Sequence, residues 1–152
     1  MINFIEGKIN IGEKNILAAS NGDLKVLAEE GLIEKREISG GRIYYYFETQ
    51  ADNMRFGVFI SLREKKIDWL RLSWLDSPVK GWDDVSEGAM KNEYRLLSNF
   101  VQKTVGGPSD NEGNRKRAWR FKWGDVEVSY EPRAYQADIY MKPQHSGVRA
   151  DI

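Results

Sequence analysis

Carboxylates are the densest group of side chains in this sequence that could carry out chemistry. Asp76, Asp83, Asp84 and Glu87 lie close together along the chain. Converging carboxylates can bind Mg²⁺ or Ca²⁺, but this spacing matches no EF-hand loop. Asp83 or Asp84 is also well placed to cap a helix, with Glu87 in the first turn, where a negative charge favours the helix dipole. We therefore interpret the group mainly as a helix cap with a solvated loop, and otherwise as an acidic recognition patch.

The residue types that most catalytic sites require are missing from the sequence. The chain has no cysteine, and its single histidine, His145, lies in the segment predicted to be a tail. This argues against serine–histidine–aspartate triads and excludes thiol nucleophiles and cysteine-based zinc or iron–sulfur sites. The glycine pairs at 40–41 and 106–107 lack the strand-before, helix-after context of a phosphate-binding loop. No catalytic residue, metal site or cofactor is predicted, and we interpret the chain as non-catalytic.

The charge balance argues against nucleic acid as the partner. Lysine plus arginine and aspartate plus glutamate both number 23, so no net field would attract a polyanion. Residues 115–117 (Arg-Lys-Arg) lie close to Trp119, which is a combination that single-strand binding proteins use. The alternating pattern, however, places Trp119 with Phe121 and Trp123 on a face typical of core, so the basic loop has no ring for a base to stack on.

Strict alternation of side chains predicts strands in the first half of the chain. In residues 42–48, Tyr45 and Phe47 face one way while Tyr44 and Tyr46 face the other. One face of this strand should therefore be core, and the other should carry tyrosines outside the core.

The next two strands continue this meander, but the second one changes phase. Residues 56–62 alternate regularly, whereas in residues 67–74 Ile67 and Trp69 share one face and Leu70 lies on the other. A bulge near Trp69-Leu70 would reconcile the two phases, as would a strand buried on both faces.

Helix signals flank the meander. We predict an opening strand over residues 3–11 with a short return at 16–17, a short amphipathic helix over residues 21–30 ended by Gly31, and a long helix over residues 84–104.

The C-terminal part, residues 118–142, predicts three short antiparallel strands. Gly124-Asp125 has the glycine-first order of a two-residue type II′ turn. Together these elements predict an α+β fold: a single domain over residues 1–143, with a largely antiparallel twisted sheet of about six to eight strands and both helices packed on one face. Residues 144–152 have no periodicity, and we predict a disordered tail.

If helices cover only one face of the sheet, the other face carries aromatic rings beside charges. Tyrosine and arginine dominate protein-recognition hot spots. The alternatives are that cross-strand aromatic pairs simply stabilise the sheet, or that a terminal segment or a second copy of the chain covers them. The predicted protein-binding residues, including the acidic group, are Tyr44, Tyr46, Arg55, Phe59, Asp76, Asp83, Asp84, Glu87, Arg120, Lys122, Asp138 and Tyr140.

The N-terminal residues have no basic segment followed by an apolar segment of signal-peptide length. No apolar run approaches the roughly 18 residues that a membrane-spanning helix needs. The expectation is a cytoplasmic protein without a membrane partner.

The C-terminal half resembles a known class of small bacterial proteins. Residues 82–87 (Trp-Asp-Asp-Val-Ser-Glu) start a helix that ends near Gly106, and the hairpin at residues 119–126 leads to a Tyr-Glu-Pro-Arg turn at 130–133. This order is similar to that of immunity proteins of polymorphic or contact-dependent toxin systems.

The resemblance implies a non-catalytic protein that binds a cognate toxin domain and occludes its active site. The neutral charge balance differs from the strongly acidic immunity proteins that neutralise basic nucleases, so the activity of the toxin stays open. One alternative is a small-molecule-binding or enzymatic α+β domain with its pocket between the sheet and the long helix. Another is a homodimer joined through the tyrosine-rich face.

Overall fold

The computed structural model describes residues 1–20, 24–78, 86–133 and 136–144. The strands are β1 (Ile2–Asn3), β2 (Lys8–Ile11), β3 (Lys14–Leu17), β4 (Glu34–Ile38), β5 (Arg42–Ala51), β6 (Met54–Arg63), β7 (Lys66–Trp74), β8 (Asn111–Glu112), β9 (Lys116–Arg120), β10 (Gly124–Glu131) and β11 (Gln136–Pro143), and the helices are α1 (Leu24–Glu29) and α2 (Glu87–Val105). No helix among these residues is long and apolar enough to cross a membrane.

Two antiparallel sheets form the fold. The larger one has eight strands in the order β4-β5-β6-β7-β11-β10-β9-β8, and the smaller one has the order β1-β2-β3. The α+β prediction is therefore confirmed. The single opening strand over residues 3–11 is wrong, because the chain turns between Phe4 and Gly7 and pairs back as β1 and β2. Gly7 has a left-handed φ of 68°, which favours glycine at this turn.

The predicted change of phase in β7 is a β-bulge. Ser61 pairs with Trp69 and Leu62 pairs with Ile67, so Asp68 is the extra residue, one position before the predicted Trp69-Leu70. Ile67 and Leu70 are consequently both buried in the core. Because side chains alternate along the rest of β7, Trp69 turns to the opposite face of the sheet.

Helix α2 starts later than the predicted residue 84. Its N-cap is Ser86, whose Oγ accepts a hydrogen bond from the backbone N–H of Ala89 at 3.1 Å, so neither Asp83 nor Asp84 is the cap; both lie outside the described residues. The helix ends at Gly106, which has the left-handed φ of 81° that suits a C-cap glycine. The described part of α1 begins at Leu24 instead of residue 21, since residues 21–23 also lie outside the described residues.

One hydrophobic core joins both sheets and both helices. Helix α2 packs on β10 and β11, and its Phe100 ring lies 6.0 Å from the Phe4 ring of the small sheet and 5.5 Å from the Phe56 ring of β6, measured between centroids. Helix α1 contributes Leu24 and Leu27 to the same cluster. The core thus lies on one face of the eight-stranded sheet. We call the opposite face of this sheet the open face.

The predicted turn at Gly124-Asp125 is wrong, because both residues belong to β10. Strand β9 ends at Arg120, and the chain reverses through Lys122-Trp123, with Phe121 and Gly124 hydrogen-bonded to each other. A side chain at position 124 would collide with the carbonyl of Lys142 on β11. Glycine is therefore required here by the close approach of two strands and not by the turn itself.

The aromatic residues of this turn do not continue the strand face. Trp119 is 2 % exposed in the core, as predicted. Trp123 instead stacks on Phe121, with 6.3 Å between ring centroids, and its indole N–H donates to the carbonyl of Phe4 at 2.8 Å. The turn therefore holds the small sheet in place against the large one.

Candidate binding surface

A row of paired residues crosses the middle of the open face. The pairing registers place Tyr46 of β5 beside Phe59 of β6, Phe59 beside Arg71 of β7, Arg71 beside Tyr140 of β11, and Tyr140 beside Glu127 of β10. Cross-strand neighbours on one face are the closest side-chain contacts in a sheet. The row therefore forms a continuous surface across five strands.

Two adjacent rings lie between two guanidinium groups at one end of this row. The Arg36 Cζ lies 4.2 Å from the centroid of the Tyr46 ring, the rings of Tyr46 and Phe59 are 4.9 Å apart, and the Arg71 Cζ lies 4.4 Å from the Phe59 centroid. Each cation–π contact contributes about 0.5–2 kcal/mol. Rings and arginines that hold one another in place form a preorganised surface.

Glycine at position 57 makes room for this arrangement. A side chain at Gly57 would lie 2.8 Å from the hydroxyl oxygen of Tyr46, so only glycine allows the Tyr46 ring to lie across β6. The hydroxyl of Tyr46 also donates to a carboxylate oxygen of Glu48 at 3.3 Å.

A second aromatic pair lies at the centre of the open face. The rings of Trp69 and Tyr140 pack edge to face with centroids 5.8 Å apart. Lys142 lies over the Tyr140 ring at 5.5 Å and forms an ion pair of 3.1 Å with Glu127. This pair borders a shallow depression of about 580 Å³. The depression is lined by Trp69, Arg71, Glu127, Ser129, Tyr130, Glu131, Gln136, Asp138, Tyr140 and Lys142.

A buried polar network holds one side of this depression. Asp138 is 8 % exposed and Ser73 is 7 % exposed. One carboxylate oxygen of Asp138 accepts hydrogen bonds from the Ser73 hydroxyl at 2.9 Å and from the Gln136 amide at 2.8 Å. Buried polar groups need such partners to offset their loss of water. The network therefore ties β7 to β11 side by side.

Two tyrosine hydroxyls on the open face stay neutral at physiological pH. Burial raises the pKa of Tyr140, and the nearby Asp138 carboxylate raises it further, while Arg71 opposes the shift. Burial also raises the pKa of Tyr46, and the Glu48 carboxylate adds to the effect. Both hydroxyls can therefore donate as well as accept hydrogen bonds.

The open face divides into two halves on either side of β11. The aromatic half consists of the open-face residues of β4 to β7, and the charged half consists of those of β9 and β10. The rings and charged groups of the aromatic half are those of Glu34, Arg36, Arg42, Tyr44, Tyr46, Glu48, Arg55, Phe59, Arg63, Lys66, Trp69 and Arg71, and the polar and charged groups of the charged half are those of Lys116, Arg120, Asp125, Glu127, Ser129 and Glu131.

The charged half is held mainly by ion pairs. The Arg120 Nε lies 3.8 Å from a carboxylate oxygen of Asp125, and the backbone N–H of Arg120 donates to Asp110 at 2.7 Å. A depression of about 610 Å³ lies here as well, between β8, β9 and β10. Its lining mixes carboxylates with cations and includes no aromatic ring.

Most of the residues predicted from the strand pattern do lie on the open face. Six of them lie in the aromatic half or on β11: Tyr44, Tyr46, Arg55, Phe59, Asp138 and Tyr140. Arg120 shares the same sheet face but belongs to the charged half. Lys122 is exposed in the turn beyond β9 and does not lie on a strand, because the turn comes earlier than predicted.

The predicted acidic group does not form one patch in the described part of the structure. Asp76 accepts a hydrogen bond from the backbone N–H of Arg55 at 2.9 Å, which lowers the pKa of its carboxyl. Glu87 lies on α2, which packs on the core side of the sheet, and forms an ion pair of 3.0 Å with Lys91. Asp83 and Asp84 lie outside the described residues.

Sequence reasoning missed several residues of the aromatic half: Glu34, Arg36, Arg42, Glu48, Arg63, Lys66, Trp69 and Arg71. Trp69 and Arg71 follow the bulge, so the bulge decides on which face of the sheet they lie. Because the bulge was predicted one residue too late, the sheet face of neither residue could be assigned from sequence. Arg36 and Arg42 lie at or near a strand end, on β4 and β5. Alternation in residues 34–38 would have placed Arg36 on the face of Tyr44, with which it pairs.

Comparisons with protein-family models, with curated proteins and with solved structures found no match to this chain. Within the described residues, no three or more histidine, aspartate or glutamate side chains are arranged to hold a metal ion.

Proposed function

We propose that this protein acts by binding another protein through the aromatic half of its open face, and that it serves as a bacterial immunity protein that occludes the active site of a cognate toxin. The observation that carries the binding role is the array of half-buried rings and arginines on this half. The immunity role rests on the resemblance of the C-terminal half to such proteins.

The residue types of the aromatic half support protein recognition. In alanine scans of protein complexes, some substitutions weaken binding by about 2 kcal/mol or more. Tyrosine, tryptophan and arginine are the residue types most often found at these positions. Tyr44, Tyr46, Phe59 and Trp69 are all partly exposed. The contacts of Tyr46 with Arg36 and of Phe59 with Arg71 limit the side-chain entropy that a complex would cost.

The geometry is less suited to stacked nucleic-acid bases. A base stacks on an exposed ring face, but guanidinium groups already lie over one face of Tyr46 and one face of Phe59. A strand of bases would have to displace these arginines from the rings.

The alternative pocket between the sheet and the long helix is occupied by side chains in the described structure. Leu97 and Val101 of α2 are fully buried there. Glu93 is 1 % exposed, and its carboxylate accepts a hydrogen bond from the backbone N–H of Ala137 at 3.2 Å. The buried carboxylate of Glu93 therefore has a structural role, because it links α2 to β11.

Co-expression with the product of the adjacent upstream gene tests the proposal. We expect the two proteins to co-purify at equal stoichiometry and this protein to protect cells from that product. We expect Trp69→Ala to weaken the complex by about 2 kcal/mol, roughly thirtyfold, because the Trp69–Tyr140 pair lies at the centre of the surface. Lys116→Ala, an exposed cation on the charged half, is the matched control and should change the affinity by about twofold or less.

A protein that remains alone and fails to protect cells would contradict the immunity role. A complex that forms equally well with Trp69→Ala would place the interface elsewhere on the molecule. A solution mass of twice the monomer, abolished by Trp69→Ala, would instead favour the homodimer.

A further inference from the structure

Resting on this proposed function, we infer that the partner presents an acidic segment to the aromatic half, and that its carboxylates bind Arg42 and Arg71. This inference names the chemistry of the partner's contact surface. It follows from how the charges of the aromatic half are paired.

The aromatic half carries more cations than carboxylates. Two of its arginines have acidic partners, since Arg36 forms an ion pair of 3.0 Å with Glu34, and Arg55 forms a longer one of 3.6 Å with Glu48. The other three arginines, Arg42, Arg63 and Arg71, form no ion pair with any residue of the described ranges, and Arg63 lies at the exposed end of β6, paired with Lys66. A balanced chain thus carries an excess of positive charge on one half of one face.

Arg71 is the most constrained of these three arginines. Its guanidinium lies over Phe59 and lines the central depression, and its Nε is buried without a hydrogen-bond acceptor among the described residues. A buried donor without an acceptor is destabilising, because it has lost its hydrogen bonds to water and gained none in return. A carboxylate that approaches the guanidinium from the depression would compensate the charge of a group that has already lost much of its water.

Arg42 lies on the opposite side of the Trp69–Tyr140 pair from Arg71. Its Nη2 is 3.5 Å from the Ser61 hydroxyl, at the limit of a hydrogen bond, and Ser61 pairs with Trp69. Arg71 lies two residues beyond Trp69 on the same face of β7, about 7 Å along the strand. The two arginines therefore flank Trp69, so a segment that covers this ring can bring carboxylates to both of them.

Separated carboxylates fit this surface better than a continuous row of phosphates. Glu127 and Asp138 line the same depression, although Glu127 is paired with Lys142 and Asp138 accepts from Ser73 and Gln136. These acidic groups would repel a polyanion that runs along the depression. An acidic protein segment can place its charges at the arginines alone.

The test uses the intact protein and a capped synthetic peptide of alternating glutamate and serine. Its lysine–serine counterpart and an oligouridine of equal length are the comparison probes. We expect the acidic peptide to shift the Nε–Hε NMR signals of Arg42 and Arg71 in a saturable manner. The double substitution Arg42→Gln with Arg71→Gln should weaken its binding by about tenfold or more, whereas Lys116→Gln should change it by about twofold or less. Thermal unfolding of each variant confirms that it is folded.

Three results would overturn the inference. The acidic peptide could fail to bind, it could bind the double variant as well as the parent protein, or oligouridine could bind more tightly and depend on the same arginines. The affinity of each variant for the cognate partner distinguishes a failure of this inference from a failure of the proposed function. A complex weakened by Trp69→Ala but unchanged by the double variant removes the acidic segment and leaves open-face binding intact, whereas insensitivity to Trp69→Ala removes open-face binding itself.

Discussion

The aromatic and the charged halves of the open face rest on equally well-packed parts of the core but present different chemistry. Phe56 and Ile60 lie beneath the aromatic half, Val126 and Val128 lie beneath the charged half, and all four are 0 % exposed. Above them, one half carries rings stacked on arginines, while the other carries charged and polar side chains without a ring.

This difference helps to separate a structural from a functional role for the rings. If the sheet needed aromatic residues on its open face, the charged half should carry them as well. It is held instead by ion pairs of a half-exposed cation with a mostly buried carboxylate, Arg120 with Asp125 and Lys142 with Glu127. The rings of the aromatic half therefore exceed what the charged half needs to hold its strands, which supports the binding role proposed for them.

Removal of a ring should reveal the largest difference in stability between the halves. We expect Phe59→Ala to lower the free energy of unfolding by about 2 kcal/mol, less than the 3–5 kcal/mol of a core phenylalanine, because the ring is only partly buried. Ser129→Ala on the charged half should change it by about 0.5 kcal/mol or less. Urea unfolding measures both. A core-sized loss for Phe59→Ala would show that this ring stabilises the fold as a core residue does.

A smaller effect is expected at the boundary of the two halves, on β11. Asp138→Ala should cost about 1–2 kcal/mol in unfolding free energy, because it leaves the Ser73 hydroxyl and the Gln136 amide without their shared acceptor. Glu131→Ala, an exposed carboxylate on the neighbouring strand, is the control. If both substitutions had the same small effect, the network would not hold β7 and β11 together.

The smallest expected effect is a pH dependence at alkaline pH. Because burial raises the pKa of Tyr140 in the folded state, its phenolate forms more readily in the unfolded chain. Stability from this group is complete below the ordinary phenol pKa of about 10 and declines as the pH rises through the folded value. Tyr140→Phe should make this decline shallower in unfolding experiments at a series of pH values. An unchanged slope would contradict the shift.

Local patterns in the sequence predicted the sheet faces but not the contacts that connect distant parts of the chain. Alternation placed Tyr44 and Tyr46 on the open face because period-2 side-chain direction is a property of a single strand. The bulge was predictable as a change of phase, although its position depends on how β6 and β7 pair. The face of Trp69 follows from that pairing, which explains why this residue was missed.

The turn before β10 shows the same limit. Glycine and aspartate in sequence favour a hairpin turn, whereas Gly124 is needed because β11 approaches it from a distant part of the chain. The second sheet was unpredictable for a similar reason. Phe4 is buried because Phe100 and Trp123 pack near it, and no local pattern records those partners.

The hydrogen bond from Trp123 to Phe4 also has a consequence for the order in which the chain folds. Its two residues are 119 positions apart, so the small sheet leaves the ribosome well before the turn that it packs against is synthesised. Contacts of such long range form late, because a large loop must close before they gain any energy. Until then Phe4 and Ile9, both 0 % exposed in the finished protein, remain accessible to chaperones and proteases.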